Sequence, residues 1–329
     1  MKEFPDMQLW HGRVDAAEGP LGQRWHQMVR PLSPLTPAGT TTLLGFACDA
    51  GVARNQGRAG ARNGPAALRK MLANMPVHAC KAIADAGDVI CLPEKDTGLG
   101  EASNLEGAQE ALAREVSVLL GRALFPLVLG GGHEMAYGSF TGLADHLAAT
   151  YENAAPPRIG VINLDAHFDL RMSDRANSGT PFRQIAEQCK QRGWPFHYCA
   201  LGISPYANTE SLFERARQLG AVWRLDEEMG WAQMTEIRAT LSHFLASVDH
   251  VYLTLCLDVL PASVMPGVSA PAPHGVALPI VEVVLDMITD SDKLCLADIA
   301  ELNPAYDIDN QSARVAARLA ARIANNLAA

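Results

Sequence analysis

Three side chains that can bind metal follow a strongly apolar run of the sequence. The run RIGVINL ends at residue 164, and Asp165, His167 and Asp169 come directly after it at alternate positions. In extended backbone such side chains point the same way, so two carboxylates and one imidazole converge. This mixture of oxygen and nitrogen ligands suits manganese, iron, cobalt or zinc. The alternative is a polar loop that caps the next helix, but burying this trio without a cation would be costly.

Two further motifs end apolar runs and add donors to this set. GGGHE (130–134) supplies His133 after three glycines that allow a sharp turn, and TLCLD (254–258) supplies Asp258. Cys256 shares a strand face with Asp258, and the spacing leaves open whether it is a thiolate ligand or a core cysteine. So many donors exceed what one cation needs in an open catalytic site. We therefore predict two divalent metals that bridge a hydroxide nucleophile.

Short apolar runs alternate with longer helix-like segments and predict the elements that position these motifs. Runs this apolar are buried on both faces, which is typical of a parallel sheet between helices. We predict a three-layer α/β/α fold with a mostly parallel sheet of about eight strands and the site at their carboxyl ends. Residues 1–329 should form a single domain, with residues 1–40 as an extended N-terminal arm. The predicted strands cover residues 41–48, 89–92, 126–130, 158–165, 197–202, 221–225, 250–258 and 293–299.

The composition excludes several classes of protein. No stretch approaches the roughly 18 uninterrupted apolar residues of a membrane helix, and the start lacks the order of a signal peptide, so we expect a soluble, cytoplasmic protein. The formal charge of −9 argues against a nucleic-acid partner. The seven cysteines are scattered without a CxxC pair, which argues against a disulfide framework. One pair of strand-end cysteines, Cys48 and Cys256, raises the hypothesis of a disulfide that removes a metal ligand.

The order and spacing of the metal motifs resemble those of arginases, agmatinases and their relatives, the ureohydrolase superfamily. The resemblance extends from about residue 40 to the end, through RAGARNGPAALR (58–69) and ADIAELNPAYDIDNQSARVAARL (297–319). Within the superfamily, the segments LWHGRVD, SGTPFRQI and CLDVLPASVMPGVSAPAPHGV are most similar to the formimidoylglutamase family. That family degrades histidine by hydrolysing N-formimidoyl-L-glutamate to L-glutamate and formamide.

The resemblance implies an arginase-like fold with two manganese ions per subunit, and often a trimer or hexamer. It implies that Glu301 is a catalytic carboxylate that faces the amidine-like nitrogen of the substrate. It also implies the metal ligands His133, Asp165, His167, Asp169 and Asp258. We further predict that Asp169 is catalytic, because it would hold metal and accept a hydrogen bond from the attacking hydroxide.

Two positions depart from the superfamily pattern. Cys256 stands where most members have an aspartate that bridges both metals, and a softer thiolate leaves the preferred metal and the occupancy of one site open. The histidine that arginases place after their Ser-Gly segment is absent from SGTPFRQ (178–184). The proton donor to the leaving group is therefore unassigned, with His274 as a hypothesis.

Arginines near the expected site favour a small dianionic amino-acid substrate over cationic arginine or agmatine. Planar guanidinium groups bind carboxylates through two parallel hydrogen bonds. Solvated surface charges or structural roles are the alternative for half or more of these arginines. Another ureohydrolase (agmatinase, arginase or guanidino-acid hydrolase) and a metal-poor, non-catalytic homologue remain the rival functions. The predicted substrate-binding residues are Arg54, Arg58, Arg62 and Arg183, and Arg171 and Arg175 also follow the DAHFD motif.

Overall fold

Within the part of the chain that the structure describes, a ten-stranded sheet forms the middle layer of the protein. The computed structural model describes residues 1–80, 82–92, 103–151 and 155–328. Each of the eight predicted apolar runs overlaps a strand, and side chains on both faces are mostly buried in all of these strands except Val222–Leu225, which is half-buried. Two strands of two residues each were not predicted. The strands are β1 (Lys2–Glu3), β2 (Arg30–Pro31), β3 (Thr41–Ala47), β4 (Ile83–Ile90), β5 (Phe125–Gly130), β6 (Ile159–Leu164), β7 (His197–Ile203), β8 (Val222–Leu225), β9 (His250–Cys256) and β10 (Leu294–Ala300).

The order of the strands is β1-β4-β3-β5-β10-β9-β6-β7-β8, with β2 also paired to β4. All pairs are parallel except β1 with β4. Strands that are distant in sequence therefore lie side by side, and β10 pairs with β5 on one side and with β9 on the other. The carboxyl ends of β5, β10, β9 and β6 consequently meet at one edge in the centre of the sheet.

Helices cover both faces of the sheet and complete the predicted three layers. One core holds strand residues such as Leu43 with side chains from α3, α8, α9 and α10, and the other holds Leu44 with α4, α5, α6 and α7. The alternation of Leu43 and Leu44 follows from the two-residue period of a strand. The helices are α1 (Trp25–Met28), α2 (Ala50–Arg54), α3 (Gly64–Ala73), α4 (Ser103–Gly121), α5 (Met135–Thr150), α6 (Pro181–Arg192), α7 (Glu210–Gln218), α8 (Met234–Ala246), α9 (Leu278–Thr289) and α10 (Gln311–Asn326).

Residues 1–40 lie along the edge of the sheet that carries β4. Trp25 is fully buried, and the indole nitrogen of Trp10 donates a hydrogen bond of 2.8 Å to Asp85. Asp85 also accepts hydrogen bonds from the buried guanidinium of Arg69, so the segment contacts an ion pair beneath it. The division into a single domain with an N-terminal arm stays a prediction. Within the described residues, the helices are all too short or too polar to cross a membrane.

Candidate metal centre

Four neighbouring strands deliver the predicted ligands to one edge of the sheet. His133 follows β5, Asp165 follows β6, Glu301 follows β10, and Cys256 is the last residue of β9. In the register of β9 and β10, Ala300 lies opposite Cys256, so the two strands end at the same level of the sheet. This arrangement agrees with the rule that parallel sheets carry their sites at the carboxyl ends of strands.

The glycines before His133 are required by a close approach of two backbone segments. Gly131 and Gly132 donate backbone hydrogen bonds of 3.0 and 2.9 Å to the carbonyls of Phe46 and Cys48 at the end of β3. A Cβ atom at Gly131 would lie 2.2 Å from the Cys48 carbonyl oxygen, which no side chain could tolerate. The triple glycine therefore turns the chain tightly enough to place His133 over the sheet edge.

His133 faces two carboxylates across a gap that fits a cation. Its Nδ1 atom lies 2.9 Å from Asp165 Oδ2 and 2.9 Å from Asp169 Oδ2, yet it has no hydrogen-bond partner among the described residues. Its Nε2 atom lies 2.9 Å from Thr254 Oγ1. When Nε2 donates to Thr254, the lone pair of Nδ1 points toward the carboxylates, which is the tautomer that binds metal.

A second group of donors shares Asp165 with the first. His167 Nδ1 lies 3.1 Å from Asp258 Oδ2 and 3.4 Å from Asp165 Oδ1. Donor atoms of His133, Asp165 and Cys256 lie within 4.8 Å of one another, as do those of Asp165, His167 and Asp258. Two donor triads with a common carboxylate would suit two divalent cations, with Asp165 available to both. The individual ligand roles, including that of Cys256, stay predictions.

The electrostatics of the site favour a cation. Burial, together with the charge of Asp165, raises the pKa of Asp169 to about 6 and also raises the pKa of Asp258. Burial acts on Asp165 too, but the close imidazoles of His133 and His167 hold the pKa of Asp165 below its ordinary value. Buried carboxylates this close together repel one another, and a divalent cation between them relieves that repulsion.

The two residues predicted to be catalytic have strained backbones. Asp169 has a φ of 49° and Glu301 a φ of 72°, in the left-handed region that side chains other than glycine rarely adopt. Such conformations cost about 1–3 kcal/mol each and concentrate at functional sites. The Glu301 carboxylate is held from two sides, because it accepts hydrogen bonds from the His133 backbone N–H (2.8 Å) and from the Ser269 hydroxyl (2.5 Å). Burial raises the pKa of Glu301 to about 7.

A cavity of about 330 Å³ opens over the donor cluster. Its floor is acidic and its rim carries the cations Arg58 and Arg171 with amide and hydroxyl groups. The Arg171 side chain packs against Gly179, where an added Cβ atom would lie 2.7 Å from Arg171 Cδ. The sequence alone does not indicate a role for Ser269, Asn55 or Ser178. The lining residues are Asn55, Gln56, Gly57, Arg58, His133, His167, Asp169, Arg171, Ser178, Cys256, Asp258, Ser269, Ala270 and Glu301.

Of the four arginines predicted to bind substrate, only Arg58 lines this cavity. Arg54 pairs with Glu106 and lines a second cavity together with Arg62. Arg183 pairs with Glu187 on its own helix and lines another surface depression. Substrate contact by Arg54, Arg62 and Arg183 stays a prediction that their positions do not favour.

The guanidinium of Arg58 already makes contacts within the protein. Its Nε and Nη2 atoms donate hydrogen bonds to the carbonyls of Ser269 and Val268, and its guanidinium lies 4.1 Å from the centre of the Tyr306 ring. Arg171, in contrast, pairs with no acid among the described residues. The freer cation at the rim is therefore Arg171.

Of two smaller hypotheses, one gains no support from the structure and the other is wrong. His274 is exposed and does not line the site cavity, so the hypothesis that it donates the proton has no support from its position. The Cys48–Cys256 disulfide is wrong, because β5 and β10 lie between β3 and β9. Three strand spacings separate the two cysteines by roughly 14 Å, whereas a disulfide requires Cα atoms within about 7 Å. Both cysteines are free.

A parallel sheet with carboxylate and imidazole donors at its central strand ends defines a metallohydrolase centre of the ureohydrolase type. The chain belongs to the arginase family, whose model matches residues 40–325. It is 58% identical to the formimidoylglutamase of Ralstonia nicotianae over 324 residues, which cover 98% of this chain and 96% of that protein. It is 50% identical to the formimidoylglutamase of Aromatoleum aromaticum over 327 residues, covering 99% and 94%.

Among solved structures, the fold is similar to Trypanosoma cruzi formiminoglutamase with Mn²⁺₂. The TM-score is 0.73 at 28% sequence identity, and the alignment covers 88% of this chain and 93% of that one. The formimidoylglutamase of Bacillus subtilis has a TM-score of 0.76 at 19% identity, with 91% and 90% covered, which shows the shared fold.

Proposed function

We propose that this protein is a metal-dependent C–N hydrolase that converts N-formimidoyl-L-glutamate and water to L-glutamate and formamide. The observation that carries the proposal is the shared-carboxylate donor cluster beneath a cavity with a cationic rim. The 58% identity to a formimidoylglutamase over nearly the whole of both chains supports the substrate.

The donor cluster would hold two manganese ions, with His133, Asp165, Asp169 and Cys256 around one and Asp165, His167 and Asp258 around the other. The Nδ1 atom of His133, which has no hydrogen-bond partner among the described residues, supports this fit. When bound, the metal pair lowers the pKa of water and supplies hydroxide at neutral pH. Manganese is the metal of the similar Trypanosoma cruzi structure.

Two carboxylates of the chain would act on the reacting groups. Asp169 accepts a hydrogen bond from the attacking oxygen and so orients it toward the formimidoyl carbon. Glu301 accepts hydrogen bonds from the N–H groups of the amidine. Each Glu301 oxygen already accepts one hydrogen bond, from His133 N–H or from Ser269, and keeps a second lone pair for the substrate. Negative charge beside the amidine also stabilises the positive charge that it carries when protonated.

The rim of the cavity would select a dianionic substrate. We assign a carboxylate of the substrate to the guanidinium of Arg171, which has no acid partner among the described residues and so needs no ion pair to be broken. Arg58 also contributes positive charge to the cavity, while its hydrogen bonds to the carbonyls of Val268 and Ser269 hold the loop that carries Ser269. Asn55 and Ser178, whose side chains are hydrogen-bonded at 3.1 Å, complete the polar rim.

The test is release of glutamate from N-formimidoyl-L-glutamate by manganese-loaded protein, beside arginine, agmatine and guanidinobutyrate, with a chelated control. Metal-dependent turnover of formimidoylglutamate alone is the expected result. Turnover of only a guanidino compound would keep the metal mechanism and replace the substrate. Failure of all four substrates, together with no bound metal by elemental analysis, would favour the metal-poor, non-catalytic homologue.

We also propose that the enzyme assembles as a trimer or hexamer and acts in the cytoplasm on a small-molecule substrate. The family resemblance supports the assembly. Sedimentation equilibrium of the metal-loaded protein tests it, and a monomer at micromolar concentration would refute it.

A further inference from the structure

Two cysteines outside the metal centre lie side by side at the carboxyl ends of β3 and β4. The register pairs Ala47 with Ile90, and the Cys91 backbone N–H donates to the Ala47 carbonyl at 3.4 Å. Cys48 and Cys91 are the next residues of the two chains. Neighbouring strands lie about 4.8 Å apart, and opposite residues of a parallel pair point to the same face. This spacing falls within the Cα separation of about 4.4–6.8 Å that a disulfide requires.

The two thiols contact each other and differ in character. Both thiols are free, and they lie close enough to shift one another's pKa. The neighbouring Cys48 thiol lowers the pKa of Cys91, against the effect of burial, and the charges of Arg62 and Arg54 lower it further. The same contact, with burial, raises the pKa of Cys48. Cys91 is therefore the nucleophile of the pair and Cys48 the thiol that remains protonated.

A small oxidant can reach this pair. Cys48 and Cys91 line a cavity of about 380 Å³ that is also lined by the exposed Arg62. The cavity is separate from the one over the metal centre, and the two have no lining residue in common. Cys199 provides the contrast, since it is fully buried in the sheet and burial raises the pKa of its thiol to about 12.

We propose that Cys48 and Cys91 are a redox modification site that a peroxide converts to a disulfide. The Cys91 thiolate attacks one peroxide oxygen, the O–O bond breaks, and the departing hydroxide takes a proton to leave as water. The Cys48 sulfur then attacks the Cys91 sulfenic acid, the S–O bond breaks, and a second water leaves with the Cys48 proton. Two thiols and one hydrogen peroxide thus give one disulfide and two waters, with two electrons passing from sulfur to oxygen.

The pair is connected to the rim of the substrate cavity through Glu134. Cys48 Sγ lies 3.9 Å from Glu134 Oε1, and the same oxygen accepts a hydrogen bond of 2.8 Å from the Gly51 backbone N–H. Gly51 belongs to α2, and the residues that follow α2, from Asn55 to Arg58, line the substrate cavity. A disulfide removes the Cys48 S–H and draws its sulfur toward Cys91, which alters the support of α2. On the proposed function, oxidation should therefore raise KM for formimidoylglutamate several-fold.

The experiment oxidises the manganese-loaded protein with hydrogen peroxide, quenches with catalase, blocks free thiols and analyses tryptic peptides without reduction. We expect the peptides of Cys48 and Cys91 to be linked, and the link to disappear in Cys91→Ser but to persist in Cys199→Ser. In Cys48→Ser, Cys91 should instead be trapped by dimedone as a sulfenic acid. This mass readout does not depend on which substrate is hydrolysed.

Three results would overturn the proposal. The first is a linked peptide between other cysteines, and the second is the absence of both the linked peptide in the wild type and the dimedone adduct in Cys48→Ser. The third concerns the connection to the site: a complete Cys48–Cys91 link with unchanged KM and kcat would refute it. Reversal of the KM change by dithiothreitol in the wild type, with no peroxide effect in Cys91→Ser, would support it.

Discussion

Replacement of Arg171 by glutamine tests the basis of substrate selection most directly. The side chain lines the cavity over the metal centre and pairs with no acid among the described residues. Hydrogen bonds to charged groups contribute about 1.5–3 kcal/mol. Because Arg171 is exposed, solvent weakens the contact, and we take the lower end, about 1.5 kcal/mol. That free energy corresponds to about a tenfold loss of kcat/KM.

The assay is the initial rate of glutamate release over a range of formimidoylglutamate concentrations. The contact between Arg171 and the substrate carboxylate should be equally strong in the ground state and the transition state. Its removal should therefore raise KM and change kcat little. Arg62→Gln is the comparison, because the sequence predicts substrate contact and the structure places Arg62 in the second cavity. Arg158→Gln, which breaks an exposed ion pair with Asp249, is the control for charge alone.

The result that would refute this reasoning is an unchanged KM in Arg171→Gln. An equal loss in Arg62→Gln would refute it as well, since a uniform effect of removing positive charge would then explain both variants. A loss confined to kcat would instead assign Arg171 a role in the chemical step and not in substrate binding. The expected pattern is a tenfold rise in KM for Arg171→Gln, with changes below about twofold for the other two variants.

Three further perturbations test the site. Asp169→Asn should abolish turnover while far-ultraviolet circular dichroism stays unchanged, and near-normal activity would remove Asp169 from the mechanism. Thr254→Val deletes the partner of His133 Nε2, and it should weaken Mn²⁺ affinity about 10–100-fold by electron paramagnetic resonance titration, whereas Thr254→Ser should retain it. In the metal-free protein, burial and the charge of Glu301 raise the pKa of Glu134 from 4.5 to about 8. The folded state then binds the proton that the unfolded state loses, so the free energy of unfolding should fall by up to about 5 kcal/mol between pH 4.5 and 8. Glu134→Gln should reduce that slope in urea titrations, and an identical slope would contradict the assigned pKa.

The donors of the metal centre could be predicted because each stands directly after an apolar run. Asp165 directly follows one buried strand, and His133 follows another after a short glycine turn. Both side chains must therefore lie at the edge of the sheet. Parallel strands bring their carboxyl ends to that edge, whatever their order. The prediction thus needed only the strand positions, which the apolar runs indicate, and it did not need the topology.

Predictions that depended on the order of the strands or on the path of a loop were less accurate. Cys48 and Cys256 both end strands, but two other strands lie between them, whereas Cys91 follows the neighbour of β3. Arg54 and Arg58 are four residues apart on a segment that begins with α2, and they line different cavities because that segment runs between the two. The left-handed backbones of Asp169 and Glu301 could not be predicted either, since φ at these residues depends on the path that each loop takes in the folded protein. The sequence thus predicts where the metals bind, while the fold of the loops decides which charges meet the substrate.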